Sequence, residues 1–129
     1  NNELGVPLTL LNAPDATELT VVEMGARGVG HVAELCAVAR PTVGIVTVVA
    51  GAHLEQFGDL DGVALAKGEL IEALPGDGLA VLNADDARVS AMASRGPARA
   101  LTFGTTGGEV RASEIAPVGR SGGPPVGRR

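Results

Sequence analysis

Four polar side chains stand where chemistry could be done: Glu23, His53, Lys67 and Asn83. Glu23 ends a short apolar run and offers a hard oxygen ligand, suited to Mg²⁺ held beside phosphates. A strand-end carboxylate that meets solvent, or caps the next loop, is the alternative reading. His53 follows the apolar run Val43–Ala50 and suits a metal ligand, an acid/base, or a loop histidine bonded to backbone. Asn83 carries both a donor and an acceptor, which match a base edge, but it also suits a turn ahead of Asp85. Lys67 falls at helical spacing on the apolar face made by Val63, Leu70, Ile71 and Leu74. A lysine placed there must snorkel out, find an anion, or give up its charge.

The elements that must position these residues alternate between strand and helix. Residues 3–12 read as a short helix interrupted by Pro7, and Asn12–Asp15 as a turn. Leu19–Glu23 reads as a first strand, apolar throughout, as in a parallel sheet covered on both faces. Gly25, Gly28 and Gly30 mark a loop, and His31–Arg40 a helix stopped by Pro41. Val43–Val49 is a β-branched second strand. Asp61 can cap a helix that runs to Leu74, closed by Pro75-Gly76-Asp77-Gly78. Leu79–Leu82 is a third strand, and Asp85 or Asp86 opens a helix reaching about Ser94. Ala100–Phe103 is a fourth strand and Glu109–Ile115 a fifth. From Pro117 the chain lacks periodicity and has almost nothing to bury, so a disordered Gly/Pro/Arg tail is expected over 116–129. This alternation predicts an α/β fold, a mainly parallel, doubly wound sheet with flanking helices. Ligands bind such sheets outside the carboxyl ends of the strands, and the four polar residues gather toward that rim.

Composition narrows the function classes. The chain has 129 residues, enough for one core, with 45% hydrophobic residues but only 2% aromatic. The core must therefore come from Val, Leu, Ile and Ala. A formal net charge of −5 leaves no basic field to hold nucleic acid. Cys36, the single cysteine, excludes an intramolecular disulfide and a cysteine zinc cluster, and its apolar surroundings suit an inert buried thiol. His31 reads as a solvated helix residue, and Arg27 and Glu34 as surface charge. No apolar run is long enough to cross a membrane and no signal peptide is seen, so a cytoplasmic protein is expected.

The strings EMGA (Glu23–Ala26), AHLEQFG with His53 and Glu55, ALAKGEL around Lys67, and LNADD (Leu82–Asp86) resemble, in order and spacing, the Mur ligase family. The likeness covers roughly residues 1–115. The opening NNELGVPLTLL is similar to the MurF-type branch, whose members add D-alanyl-D-alanine to UDP-N-acetylmuramoyl tripeptide.

This resemblance implies a partial central ATP-binding domain of an amide ligase working through an acyl phosphate in peptidoglycan precursor synthesis. It implies ATP and Mg²⁺ as cofactors, with Glu23 serving Mg-ATP, and His53 and Lys67 joining Glu23 at the metal. It makes Lys67 a carbamylated lysine, formed when its neutral amine adds carbon dioxide. Asn83 would meet adenine, and Asn2 and Thr9 fall in the part similar to substrate contacts. Family members often carry asparagine where this chain has Thr47 and Val48. The phosphate loop G-x-x-x-x-G-K-[ST] does not occur in these residues. The family places it upstream, with further N- and C-terminal domains, so no turnover is expected of this chain alone. A related ligase with another substrate, such as folate-glutamate ligases, or a short non-catalytic binding module are the alternatives.

Overall fold

The computed structural model describes residues 1–51 and 57–115. Helix α1, Gly5–Leu11, carries Pro7 in its first turn, where the missing N–H costs no intrahelical bond, so the expected interruption does not occur. Its first turn is held by Asn2, whose Oδ1 accepts from Leu4 N at 3.1 Å and Gly5 N at 3.0 Å. Helix α2, His31–Ala39, ends at Arg40, which takes the left-handed conformation at φ 46°.

Four strands form one wholly parallel sheet in chain order. They are β1, Val43–Val46; β2, Leu79–Asn83; β3, Arg99–Gly104; and β4, Val110–Arg111. Helix α3, Leu60–Glu72, crosses from β1 to β2. The short helix α4, Ala87–Ser90, and a 3-10 turn, Ala91–Ser94, cross from β2 to β3. The single longer helix expected here is thus divided.

Helix α3 begins two residues earlier than expected. Asp59, not Asp61, is its N-cap and accepts from Gly62 N at 2.8 Å, a bond worth about 1 kcal/mol at such positions. Asp61 instead pairs with Arg88 at 2.8 Å.

The core sits on the face of the sheet that carries Ala80 and Leu82, both fully buried. Val63, Ile71 and Leu74 of α3 and its exit, with Val89 and Met92, close over it together with Val46. Burying each such side chain contributes about 1.5–3 kcal/mol. Helix α2 lies against α3, and α1 against α2.

The opposite face is open at β1, where Val43 is 50% and Ile45 58% exposed. β1 was expected to be covered on both faces and to run to Val49. It stops at Val46 because the following backbone groups are taken by side chains rather than by the β2 ladder. Leu19–Glu23 is not a strand at all: Leu19 and Val21 are 80% and 84% exposed, and no neighbour pairs with them among the described residues. A parallel strand exists only through its partner's hydrogen bonds, and apolar composition alone does not supply them. The fifth strand shrinks to the two residues of β4 because Glu109 turns its side chain back onto β3, accepting from Thr102 N at 3.2 Å.

Candidate functional site

The carboxyl ends of β1 and β2 meet at a rim built around residues 47–49. Asn83, the last residue of β2, donates Nδ2–H to the Thr47 carbonyl at 2.8 Å. Lys67, in the middle of α3, donates from Nζ to the next carbonyl, Val48, at 2.6 Å. Asp86, the N-cap of α4, accepts from Val49 N at 2.8 Å. Three successive residues are therefore gripped by three elements. The grip uses main-chain groups of Thr47 and Val48, so it does not depend on their side chains.

Each gripping side chain has a local reason to be where it is. Asn83 Oδ1 accepts from Asp85 N at 2.9 Å, the turn-forming bond expected of an Asn before Asp. One N–H and one lone pair of its amide remain uncommitted among the described contacts. Asp86 Oδ1 accepts from Arg88 N at 2.9 Å and Val89 N at 3.2 Å, capping α4 while Oδ2 reaches Val49. These bonds, the one from Val49 N–H first, hold the Asp86 carboxyl below its ordinary range. Lys67 projects between Val63 and Leu70–Ile71, as its spacing predicts, and extends to the strand exit.

A second carboxylate organises the neighbouring rim. Asp85 accepts from Thr106 Oγ1 at 2.5 Å, and from Thr105 N and Oγ1 at 2.6 and 2.7 Å. It also accepts from Thr106 N at 3.0 Å and Gly107 N at 3.2 Å. The Thr106 hydroxyl and the Thr105 N–H lead in holding its carboxyl far below the usual range. The exit of β2 is thereby tied to the turn after β3.

The other expected site residues are placed as follows. His53 and Glu55 lie outside the described residues. No hydrogen bond or ion pair links Glu23 to Lys67 or Asn83 among the described residues. The Glu23 side chain is 85% exposed. Among the described residues no three His, Cys, Asp or Glu side chains gather as a metal-holding group. Thr9 Oγ1 donates to Gly5 O at 2.8 Å within α1. His31 is not solvated: its side chain is 14% exposed, Nδ1 accepts from Arg27 N at 3.2 Å, and Nε2 lies 3.3 Å from Glu3. Arg27 is surface charge, as expected: its side chain is 58% exposed and pairs with Glu3 at 2.8 Å. Cys36 is buried, and desolvation, then the charge of Glu69, push its thiol up to about 11. Burial and the raised pKa both disfavour the reactive thiolate.

Two residues near the site escaped sequence reasoning. Glu69, two positions from Lys67, is buried and accepts from Gly30 N and Ala33 N. Arg95 lies across α3 at Gly68, donating to the carbonyls of Ala64 at 2.9 Å and Leu65 at 3.1 Å, and to Glu72. A Cβ at Gly68 would meet that guanidinium, so a side chain there would displace Arg95 from these bonds. The only advance signals were a glutamate flanked by buried helix positions and a glycine at mid-helix.

The Mur ligase middle domain matches residues 1–122. Over 101 residues the chain is 46% identical to the UDP-N-acetylmuramoyl-tripeptide–D-alanyl-D-alanine ligase of Mycobacterium tuberculosis (strain ATCC 25618 / H37Rv). That alignment covers 78% of this chain and 20% of the relative. The ligase of the same name from Escherichia coli (strain K12) is 45% identical over 86 residues, 67% of this chain and 19% of that one. The crystal structure of MurF from Acinetobacter baumannii superposes with a TM-score of 0.83 at 31% identity, over 90% of this chain and 26% of that one. MurF ligase from Thermotoga maritima in complex with ADP superposes with a TM-score of 0.76 at 36% identity, over 84% and 25%. The chain thus spans about a fifth of the length of these curated relatives. The parallel sheet, its flanking helices and the middle-domain match over nearly all residues agree: this chain belongs to the Mur ligase family.

Proposed function

We propose that this chain is part of an ATP-dependent amide ligase that joins D-alanyl-D-alanine to UDP-N-acetylmuramoyl tripeptide in peptidoglycan precursor synthesis. The observation that carries the proposal is the rim at residues 47–49, gripped by Lys67 and Asn83, in a chain 46% identical to a ligase of that name. ATP use is supported by the ADP complex of the Thermotoga maritima relative. In the reaction the tripeptide carboxylate takes the γ-phosphoryl group of ATP, releasing ADP, and the amine of D-alanyl-D-alanine then attacks the acyl phosphate, losing a proton and releasing phosphate as the amide bond forms.

The residues divide this work. Asn83 still has one N–H and one lone pair to offer an adenine edge. Glu23, exposed and anionic, presents hard oxygens suited to Mg²⁺ beside ATP. Lys67 as an ammonium is no metal ligand. As a neutral amine it adds carbon dioxide, forming an N–C bond and releasing a proton, and the resulting carbamate is anionic. Glu23, His53 and the modified Lys67 would then hold magnesium, which supplies charge neutralisation to the transferred phosphoryl group. Asn2 and Thr9, at the start of α1, are assigned to the substrate side. Residues 1–115 are assigned to the partial central domain; the tail expected over 116–129 lies outside the described residues. The phosphate loop is absent from these residues, so the chain alone is expected to be inactive. No helix among the described residues is long and apolar enough to cross a membrane, in keeping with a cytoplasmic ligase. Roles in cell wall biogenesis, cell shape and cell division would follow.

The test is amine selectivity in the full-length ligase carrying this segment. Phosphate release with UDP-N-acetylmuramoyl tripeptide and ATP should depend on D-alanyl-D-alanine. Equal stimulation by glutamate or a single amino acid would move the chain to another branch of the family.

A further inference from the structure

We infer that Glu69 is a positioning residue that fixes the loop after Glu23 against the helix carrying Lys67. Glu69 is 7% exposed, the one buried charged side chain among the described residues. A carboxylate is costly to bury, so its partners deserve an account. They are Gly30 N at 2.5 Å and Ala33 N at 3.0 Å, the unsatisfied N–H groups that open α2. Gly30, at φ 93°, is the N-cap of α2 and has no side chain with which to cap it. The caps of α3 and α4 come from their own N-cap residues, Asp59 and Asp86. The cap of α2 comes from another helix, from a residue 39 positions beyond Gly30. The positive end of α2 meets the negative charge of Glu69, which strengthens the tie.

The consequence lies in what the tie connects. Upstream of Gly30 the loop folds back on α2: Arg27 N donates to His31 Nδ1 at 3.2 Å, and Met24 Sδ lies 3.9 Å from Cys36 Sγ. Glu23 leads directly into this loop. Downstream, Glu69 shares α3 with Lys67, two residues away. One buried carboxylate therefore sets the position of the Glu23 loop relative to Lys67 without touching substrate. A local Ser or Asp cap would satisfy α2 equally well but would leave the two segments uncoupled.

This inference rests on the reading of Glu23 as a Mg-ATP ligand, and the experiment separates the two. In the full-length ligase, the magnesium dependence of phosphate release is measured for Glu69→Ala, Glu69→Gln and Glu23→Gln. Amide exchange at Gly30 and Ala33 is followed in parallel. Glu69→Ala should speed exchange at both amides and raise the magnesium concentration for half-maximal rate about 10-fold, as supporting hydrogen bonds do at metal sites. KM for D-alanyl-D-alanine should not change. Glu69→Gln keeps one acceptor oxygen and should fall between, and it serves if the alanine variant does not fold. Faster exchange with unchanged magnesium dependence would overturn the inference and leave Glu69 as a cap only. An unchanged magnesium requirement in Glu23→Gln would overturn the reading of Glu23 itself, and the inference with it.

Discussion

Lys67 and Asn83 donate to adjacent carbonyls, Val48 at 2.6 Å and Thr47 at 2.8 Å, although one side chain comes from a helix and the other from a strand end. The exit of β1 is thus fixed at two consecutive residues just before the chain continues toward His53. Removing one of the two donors should loosen that exit while leaving the core intact.

Asn83→Ala deletes the bond to Thr47 and the bond from Asp85 N. Two such bonds are worth about 1–3 kcal/mol together. A lower Tm in this chain, and in the ligase a raised KM for ATP with little change for D-alanyl-D-alanine, are expected. A KM for ATP that does not move would show that Asn83 serves the turn alone.

Asp85 and Asp86 make stability depend on acid. Hydrogen bonds hold both carboxyls below their ordinary value of 3.8 in the folded chain. A depressed folded pKa means the unfolded chain binds protons first as pH falls. Their contribution is complete well above 3.8 and is lost as pH falls from there toward the folded values. Thermal unfolding between neutral pH and about pH 3 should show the loss, and Asp85→Asn should flatten the slope. A slope that Asp85→Asn leaves as steep would contradict this assignment. Asp86→Ala should also lower stability by about 1–2 kcal/mol at neutral pH, through loss of the α4 cap.

Leu82, fully buried between the sheet and α3, should be among the costliest positions to truncate. Leu82→Ala is expected to destabilise by about 2–5 kcal/mol in urea unfolding. A cost below about 1 kcal/mol would mean that the core does not close over this face as described.

Cys36 should resist thiol reagents in the folded chain at pH 8. Its thiol is buried and pushed up to about 11, so little thiolate is present and access is poor. Labelling should appear only on unfolding. Prompt labelling of the native chain would place Cys36 at the surface.

What could be read in advance divides along physical lines. Helices α2 and α3 and strands β2 and β3 were legible because their apolar residues repeat at the period of the element and their ends carry Pro, Gly or Asp. The side of α3 that carries Lys67 was legible for the same reason. Leu19–Glu23 misled because strand formation depends on a neighbour that composition does not reveal. β1 was read too long because Asn83, Lys67 and Asp86 capture the groups of residues 47–49, and their bonds span 36, 19 and 37 positions. Glu69 was invisible for a similar reason, since its partners lie 39 and 36 positions away.

The central claim is that the Lys67–Asn83 rim serves the phosphoryl chemistry of a D-alanyl-D-alanine-adding ligase. Its most direct test is D-alanyl-D-alanine-dependent phosphate release by the full-length ligase with Lys67→Met, a substitution close in length and unable to form a carbamate. The expected result is a fall of about 100-fold or more in kcat, of the size seen when one charge-stabilising group is lost, with Tm lowered only by the loss of the Val48 bond. Retention of most of the activity in a folded Lys67→Met enzyme would contradict it and leave Lys67 as a tether for the Val48 carbonyl.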